Sequence, residues 1–381
     1  MDCHHFDIGE CRSCTWLPRP YGEQLAAKAR QVRDLLAAYP DLAWLPPVAS
    51  DQSGFRNKAK MVVTGTTEAP VLGILTGDHR DPVGVDLQDC ALHVAVIQAA
   101  LPVLSAFITR ATLDPYDIAT RRGELKLILL TASPDDELMI RFVVRSQEPV
   151  ARLRKHLDWL RGNLPGLRVA TVNVQPEHKA VLEGDLEIVL TEQTMLPMRL
   201  GEVELLLRPQ SFFQTSTATA TALYAEARSW VDERGPRDIW DLYCGVGGFA
   251  LHLAAPGRRL VGVETSREAV RSAVEAAERL GATEVEFVVG DATHALADRP
   301  APDLVVVNPP RRGIGPALAA WLEASAVRSV LYSSCSPATL AADLAAMPSL
   351  VPVRGRVFDM FPHTAHAEVL VLLERESGAE S

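Results

Sequence analysis

From about Pro209 onward, short apolar runs alternate with segments of helical period, and this alternation leaves few folds open. The runs are IWDLY, RLVGVE, VEFVVGD, DLVVVNPP, SVLYSSC and EVLVLLE. Strands this short and this continuously apolar are buried on both faces, and a helix between each pair returns the chain for a parallel neighbour. The expectation is an α/β, Rossmann-like parallel sheet with helices on both faces. In such sheets ligands collect beyond the carboxyl ends of the strands, so the loops that follow the runs carry the chemistry.

The preceding half has another texture. It opens with Cys3, Cys11 and Cys14, continues through a helical stretch near Glu23–Ala38, and shows strand-like runs at Lys60–Thr64 and Val71–Leu75 before Cys90. Further strands are expected at Leu125–Leu130, Leu138–Val144 and Val169–Val174, with a basic helix at Pro149–Leu160. This reads as α+β with hairpins. The stretch Ala91–Thr109 has no Asp, Glu, Lys or Arg and approaches membrane-spanning length. However, Ile97, Leu101, Leu104 and Ile108 fall on one helical face, as a buried domain helix requires. The expected division is 1–95, a cysteine-bearing region; 96–205, a central α+β region continuous with it; and 206–381, the α/β domain.

A net charge of −10 argues against a protein that coats nucleic acid through a general positive field. Local clusters remain: Phe55, Arg56, Lys58 and Lys60 in FRNKAK, and Arg152, Arg154, Lys155 and Arg161, which read as a solvated helix face. The opening MDCHHFDIGECRSC is polar, with no apolar leader, and the six cysteines form no secreted disulfide pattern. A reducing cytoplasm is expected. Cys11 and Cys14 with two outlying cysteines suit zinc and iron–sulfur equally by spacing.

The loop DLYCGVGGFA, Asp241–Ala250, follows the first run and precedes a helix. Gly245, Gly247 and Gly248 permit a tight turn and close approach to a ligand, which suits several nucleotides. Glu264 ends the next run, where a carboxylate can accept from both ribose hydroxyls, and Asp291 ends the third, near where an adenine would lie. Each acid could instead cap the helix that follows it. Glycine loop, two acids and then Asn308-Pro-Pro, in that order, is the layout of an S-adenosylmethionine (SAM) methyltransferase.

Asn308-Pro309-Pro310 also occurs in amino-methyltransferases, but Arg311 stands where those carry an aromatic residue. Cys335 ends the SVLYSSC run, Ser336 stands at the N-cap position, and Pro337 is a favoured first helical residue. A thiol at a helix N-terminus tends toward the thiolate, and Arg311 on the neighbouring loop adds to that. Its neighbours Ser333, Ser334 and Ser336 point to exposure in the crevice. A buried inert thiol is the alternative. In a methyltransferase a thiolate has a specific use: added to C6 of a uracil, it makes C5 nucleophilic. A base must then remove the C5 proton, and Asp359, His363, His366 and Glu368 are candidates, with Glu368 best placed.

FRNKAKM, SFFQT, DLYCGVGGFALHLA, NPPRRGIG, SSCSP and DMFPHTAHAEVL together resemble the bacterial RNA uracil-C5 methyltransferases over nearly the whole chain. The resemblance implies SAM contacts from Gln214, Tyr243, Glu264 and Asn308, a nucleophile at Cys335 and a base at Glu368. It implies a [4Fe-4S] cluster on Cys3, Cys11, Cys14 and Cys90. The branch suggested by Asn308 and by the lack of a TRAM-like barrel before Cys3 acts on 23S rRNA, at a single-stranded or flipped uridine. A cytoplasmic monomer is expected. Three readings stand beside it: action on tRNA or on more than one rRNA uridine, amino-methylation through Asn308, and a non-catalytic RNA-binding or redox-sensing protein.

Overall fold

The protein is described by a computed structural model covering residues 1–78, 81–178, 183–296 and 298–376. It divides into two compact units, and each takes two stretches of chain. The first joins Met1–Cys14 to Gln52–Met198; the second joins Thr15–Asp51 to the chain from Arg199 onward. Both differ from the expected division. No boundary falls at 95, because strands on either side of it share one sheet. Residues 15–51 depart from the N-terminal region because their apolar side chains are buried in the second unit's core, where Val32, Leu36 and Leu42 join Trp240, Val305 and Tyr332.

In the first unit, a seven-stranded sheet runs in spatial order Asp81–Asp86, Pro70–Asp78, Lys58–Gly65, Leu125–Ala132, Leu138–Val144, Leu167–Val174, Leu186–Val189. The pair Leu138–Val144 and Leu167–Val174 is parallel. The connection a parallel pair requires is made by two short helices, Val150–Lys155 and Leu157–Asn163, where the sequence suggested one. The helix Ala95–Arg110 covers one face, with Ile97, Leu101, Leu104 and Ile108 fully buried, as their spacing required. Among the described residues no helix is long and apolar enough to cross a membrane.

The second unit is built on an eight-stranded sheet: β1 (Ala43–Trp44), β2 (Asp238–Leu242), β3 (Arg259–Glu264), β4 (Val285–Val289), β5 (Leu304–Val307), β6 (Ser329–Ser334), β7 (Leu350–Phe358) and β8 (Glu368–Arg375). Their spatial order is β1-β7-β8-β6-β5-β2-β3-β4. Strands β2 to β6 are mutually parallel, while β8 runs antiparallel to both β6 and β7. An all-parallel sheet therefore needs correction at its end. Only residues 359–367 join β7 to β8, too few for a parallel crossover. Strand order reverses direction between β2 and β5, so a crevice opens beyond their carboxyl ends. Because β8 is reversed, it begins at the edge where the parallel strands finish.

Candidate active site

The glycine loop leaves β2 with two left-handed glycines, Gly245 at φ 55° and Gly247 at φ 87°. A Cβ on Gly245 would meet no atom within 4 Å, so the loop leaves open space there. Tyr243 adopts φ 67° although it is not a glycine, a costly conformation of the kind that accompanies ligand sites. Asp241 is fully buried beneath the loop. One carboxylate oxygen accepts the Ala250 N–H at 2.9 Å, and the other, Oδ1, has no partner among the described residues. Burial raises the Asp241 pKa to about 7.

Glu264, at the end of β3, accepts the Gly245 N–H at 3.2 Å and the Ser266 N–H at 2.8 Å. It thus links the glycine loop to the residue ahead of the next helix. Asp291 is exposed and accepts the Thr293 N–H at 2.9 Å. It lies near enough to Tyr243 to help raise that phenol, after burial. Asn308 is half-buried directly beyond β5, and Gln214 is buried ahead of the helix Thr217–Arg234.

The loop that follows Asn308 is pinned from the helix Pro337–Ala345. Asp343 accepts the Ile314 N–H at 3.0 Å and the Tyr332 hydroxyl at 2.6 Å. Thr339 donates to the Arg311 carbonyl at 3.1 Å. Arg311 is thereby held beside Cys335, where its guanidinium draws the thiol down. The half-buried Cys335 thiol nevertheless has a raised pKa. Burial is the largest cause and the Glu368 carboxylate the second; Arg311 opposes both. This corrects the expectation of a thiolate favoured by the helix start. Ser336 occupies the N-cap position but makes no side-chain cap; its carbonyl accepts the Thr339 and Ser334 hydroxyls, and its N–H donates to the Ser334 oxygen.

Glu368 opens β8, is 2 % exposed, and is raised by burial to about 7. Its Oε1 accepts the Ser333 hydroxyl at 2.5 Å. The serines before Cys335, read as signs of exposure, are buried: Ser333 turns to Glu368 and Ser334 to Ser336. The other candidate bases are committed elsewhere. Asp359 forms a fully buried ion pair with Lys28 at 2.6 Å, and His363 is buried beside Gln24. His366 lies near Arg311 and is held below its usual pKa, chiefly by burial. Lys28 and Gln24 come from the helix Tyr21–Leu35 and brace the loop ahead of Glu368. Neither was singled out from sequence, since their partners lie more than three hundred residues away.

In the first unit, Cys3, Cys11, Cys14 and Cys90 line one cavity of about 360 Å³, with Arg56, Lys60, His5 and His93. Burial pushes the Cys14 thiol up to about 12, and the other three cysteines add to that shift in the order Cys90, Cys11, Cys3. Leu92 donates its N–H to the Cys90 sulfur. Among the described residues no three His, Cys, Asp or Glu side chains converge as a single-ion site. Of the basic motif, Phe55 and Asn57 are buried, Arg56 faces the cysteine cavity and bonds the Lys58 carbonyl at 3.0 Å, and Lys60 is exposed at the rim of the same cavity.

Strand order, glycine loop and acidic strand ends define a Rossmann-like methyltransferase domain. A solved structure of a Pyrococcus abyssi tRNA (uracil-54, C5)-methyltransferase, bound to S-adenosyl-L-homocysteine, superposes with a TM-score of 0.80 at 25% identity, covering 94% of this chain and 85% of that one. Residues 191–376 match the family model for tRNA (Uracil-5-)-methyltransferase. The 23S rRNA (uracil(747)-C(5))-methyltransferase RlmC of Escherichia coli O139:H28 is 50% identical over 99% of this chain and 100% of its own length. That of Shigella boydii serotype 4 matches equally. The chain belongs to the RNA uracil-C5 methyltransferase family typified by these RlmC proteins.

Proposed function

We propose that this protein methylates C5 of a uridine in 23S rRNA, at a position equivalent to 747, as a cytoplasmic monomer. The observation that carries the reading is the meeting of Cys335, Arg311 and Glu368 at the sheet edge that also holds the glycine loop. SAM, when bound, supplies an electrophilic methyl group. Open space at Gly245 and a buried Asp241 oxygen without a partner among the described residues support the fit, and Gln214, Tyr243, Gly245, Gly247, Glu264, Asp291 and Asn308 would hold it.

Cys335 adds to C6 of a uracil turned out of its stack, leaving C5 as an enolate carbon able to take a methyl group. Arg311 stabilises the thiolate against burial and against Glu368. Glu368 then removes the C5 proton, and the thiolate departs. An acid held near neutrality by burial suits that step. The amino-methyltransferase reading gives no use to the cysteine.

The four cysteines are proposed to hold a [4Fe-4S] cluster. They line one cavity, the neighbouring cysteines help raise Cys14 and Cys90 after burial, and a four-iron cluster spreads its thiolates wider than a single ion does. Methyl transfer through a thiolate needs no electron, so the cluster's part is structural. Arg56, Lys58 and Lys60 remain candidates for RNA contact.

The deciding experiment is mass mapping of methylated uridines in rRNA and tRNA from cells with and without the gene. Loss of one 23S rRNA methyluridine is expected, whereas loss confined to tRNA overturns the substrate. Cys335→Ala is expected to abolish methylation, and full activity in that variant overturns the mechanism. Iron and acid-labile sulfide at about four each per chain are expected for the cluster. One zinc and no sulfide would remove it.

A further inference from the structure

The Ser333–Glu368 hydrogen bond lies outside every family motif role assigned above. On the β6–β8 ladder Ser333 pairs with Leu370 and Ser334 with Val369, so Glu368 stands one step beyond the last pair. The Ser333 side chain reaches diagonally across to it. Ser333 is fully buried and Glu368 nearly so. No described residue bonds the second carboxylate oxygen, Oε2.

We propose that Ser333 is the positioning residue for the base, holding Oε1 of Glu368 so that Oε2 is the oxygen that takes the C5 proton. This rests on the uracil-C5 reading above. In the step concerned, the C5–H bond breaks and its proton goes to Oε2. The electron pair forms the C5=C6 bond, and the C6–S bond breaks with its pair returning to the Cys335 sulfur. A carboxylate free to rotate would present either oxygen at variable distance, and proton transfer is sensitive to that geometry.

The titratable groups facing Glu368 are the Cys335 thiol beyond β6 and the Tyr224 phenol of the helix Thr217–Arg234. Burial holds Tyr224 well above its usual range, so it stays neutral. In the adduct the sulfur is an uncharged thioether. At that stage the carboxylate answers to burial, which raises its pKa, and to Ser333, which lowers it. Removing the hydroxyl therefore impairs proton removal both in geometry and in the fraction ionised, while thiolate addition, which the Glu368 charge opposes, is not slowed.

The test follows a methyl-labelled RNA–protein adduct through rapid denaturing quench across a pH series. In Ser333→Ala, adduct formation is expected at the wild-type rate or faster, since a less ionised Glu368 opposes the thiolate less. Its decay is expected to slow about tenfold near neutrality, with the pH midpoint of decay raised by about one unit. Ser333→Thr, which keeps the hydroxyl, is expected to restore decay. Ser333→Cys keeps the volume with only a weak donor and is expected to behave as alanine, which covers a poorly folded alanine variant. Wild-type decay in both Ala and Cys variants overturns the proposal. So does an equal loss in formation and decay with an unmoved midpoint, which is what a merely structural hydroxyl gives. If the wild-type protein forms no adduct, or Glu368→Gln clears it normally, the uracil-C5 reading itself has failed.

Discussion

At Cys335 three influences compete: burial and Glu368 raise the thiol, and Arg311 draws it down. Arg311→Ala is therefore expected to shift the pH midpoint of Cys335 alkylation upward, and an unchanged midpoint would show that the guanidinium does not serve the thiol. Glu368 carries a second consequence. Its pKa stands at about 7 in the folded protein against 4.5 for a free side chain. The folded chain thus binds a proton that the unfolded chain releases, and stability falls as pH rises from about 4.5 to about 7. Glu368→Gln abolishes that loss. It is expected to be more stable than the wild type near pH 8, by up to about 3 kcal/mol, with the difference gone near pH 4. Denaturant melts at the two pH values read this directly. A functional site that weakens the fold where it works is common.

Elements position these residues with little slack. A Cβ on Gly248 would lie 2.4 Å from the Tyr224 hydroxyl, so the glycine-loop helix packs directly on its neighbour. Gly248→Ala is expected to cost about 1–3 kcal/mol, partly recovered by Tyr224→Phe, and simple additivity of the two would refute the clash. Lys28 and Asp359 join the helix Tyr21–Leu35 to the loop ahead of β8 without access to water. Lys28→Ala, which strands the carboxylate, is expected to cost about 3–5 kcal/mol, and Lys28→Met with Asp359→Leu much less. What sequence revealed about these elements follows their chemistry. The loops after β2, β5 and β6 were legible because each packs several constrained residue types into a few positions. Strand β7 was not, because Pro352, Gly355 and two arginines break its apolar pattern and its register shifts between Pro352 and Arg354. Ser333 misled because a serine beside an apolar run looks solvated unless its buried partner is known.

For the molecule as a whole, the unexpected fact is that residues 15–51 are core to the second unit. A fragment starting at residue 199 would lack Val32, Leu36 and Leu42 from its core and the partner of a buried Asp359. It is expected to lack a cooperative melting transition, whereas the same fragment supplied with residues 15–51 as a separate peptide is expected to regain one. The predicted split at 206 could not show this, because composition reports where texture changes along the chain and not which distant segments share a core.

That interleaving also sets a timetable for biosynthesis. Lys28 leaves the ribosome 331 residues before Asp359. At about 5–20 residues per second, it waits on the order of 15–70 s for the carboxylate it pairs with. Met1–Cys14 and Gln52–Met198, by contrast, are complete once residue 198 emerges, so the cysteine cavity can form while the methyltransferase sheet is still being made. Nascent chains stalled near residue 240 should accordingly resist protease across 52–198 yet be cut within 15–51. Loading of the proposed cluster would then come early in the life of the chain, and the helix Tyr21–Leu35 would be among the last pieces to dock.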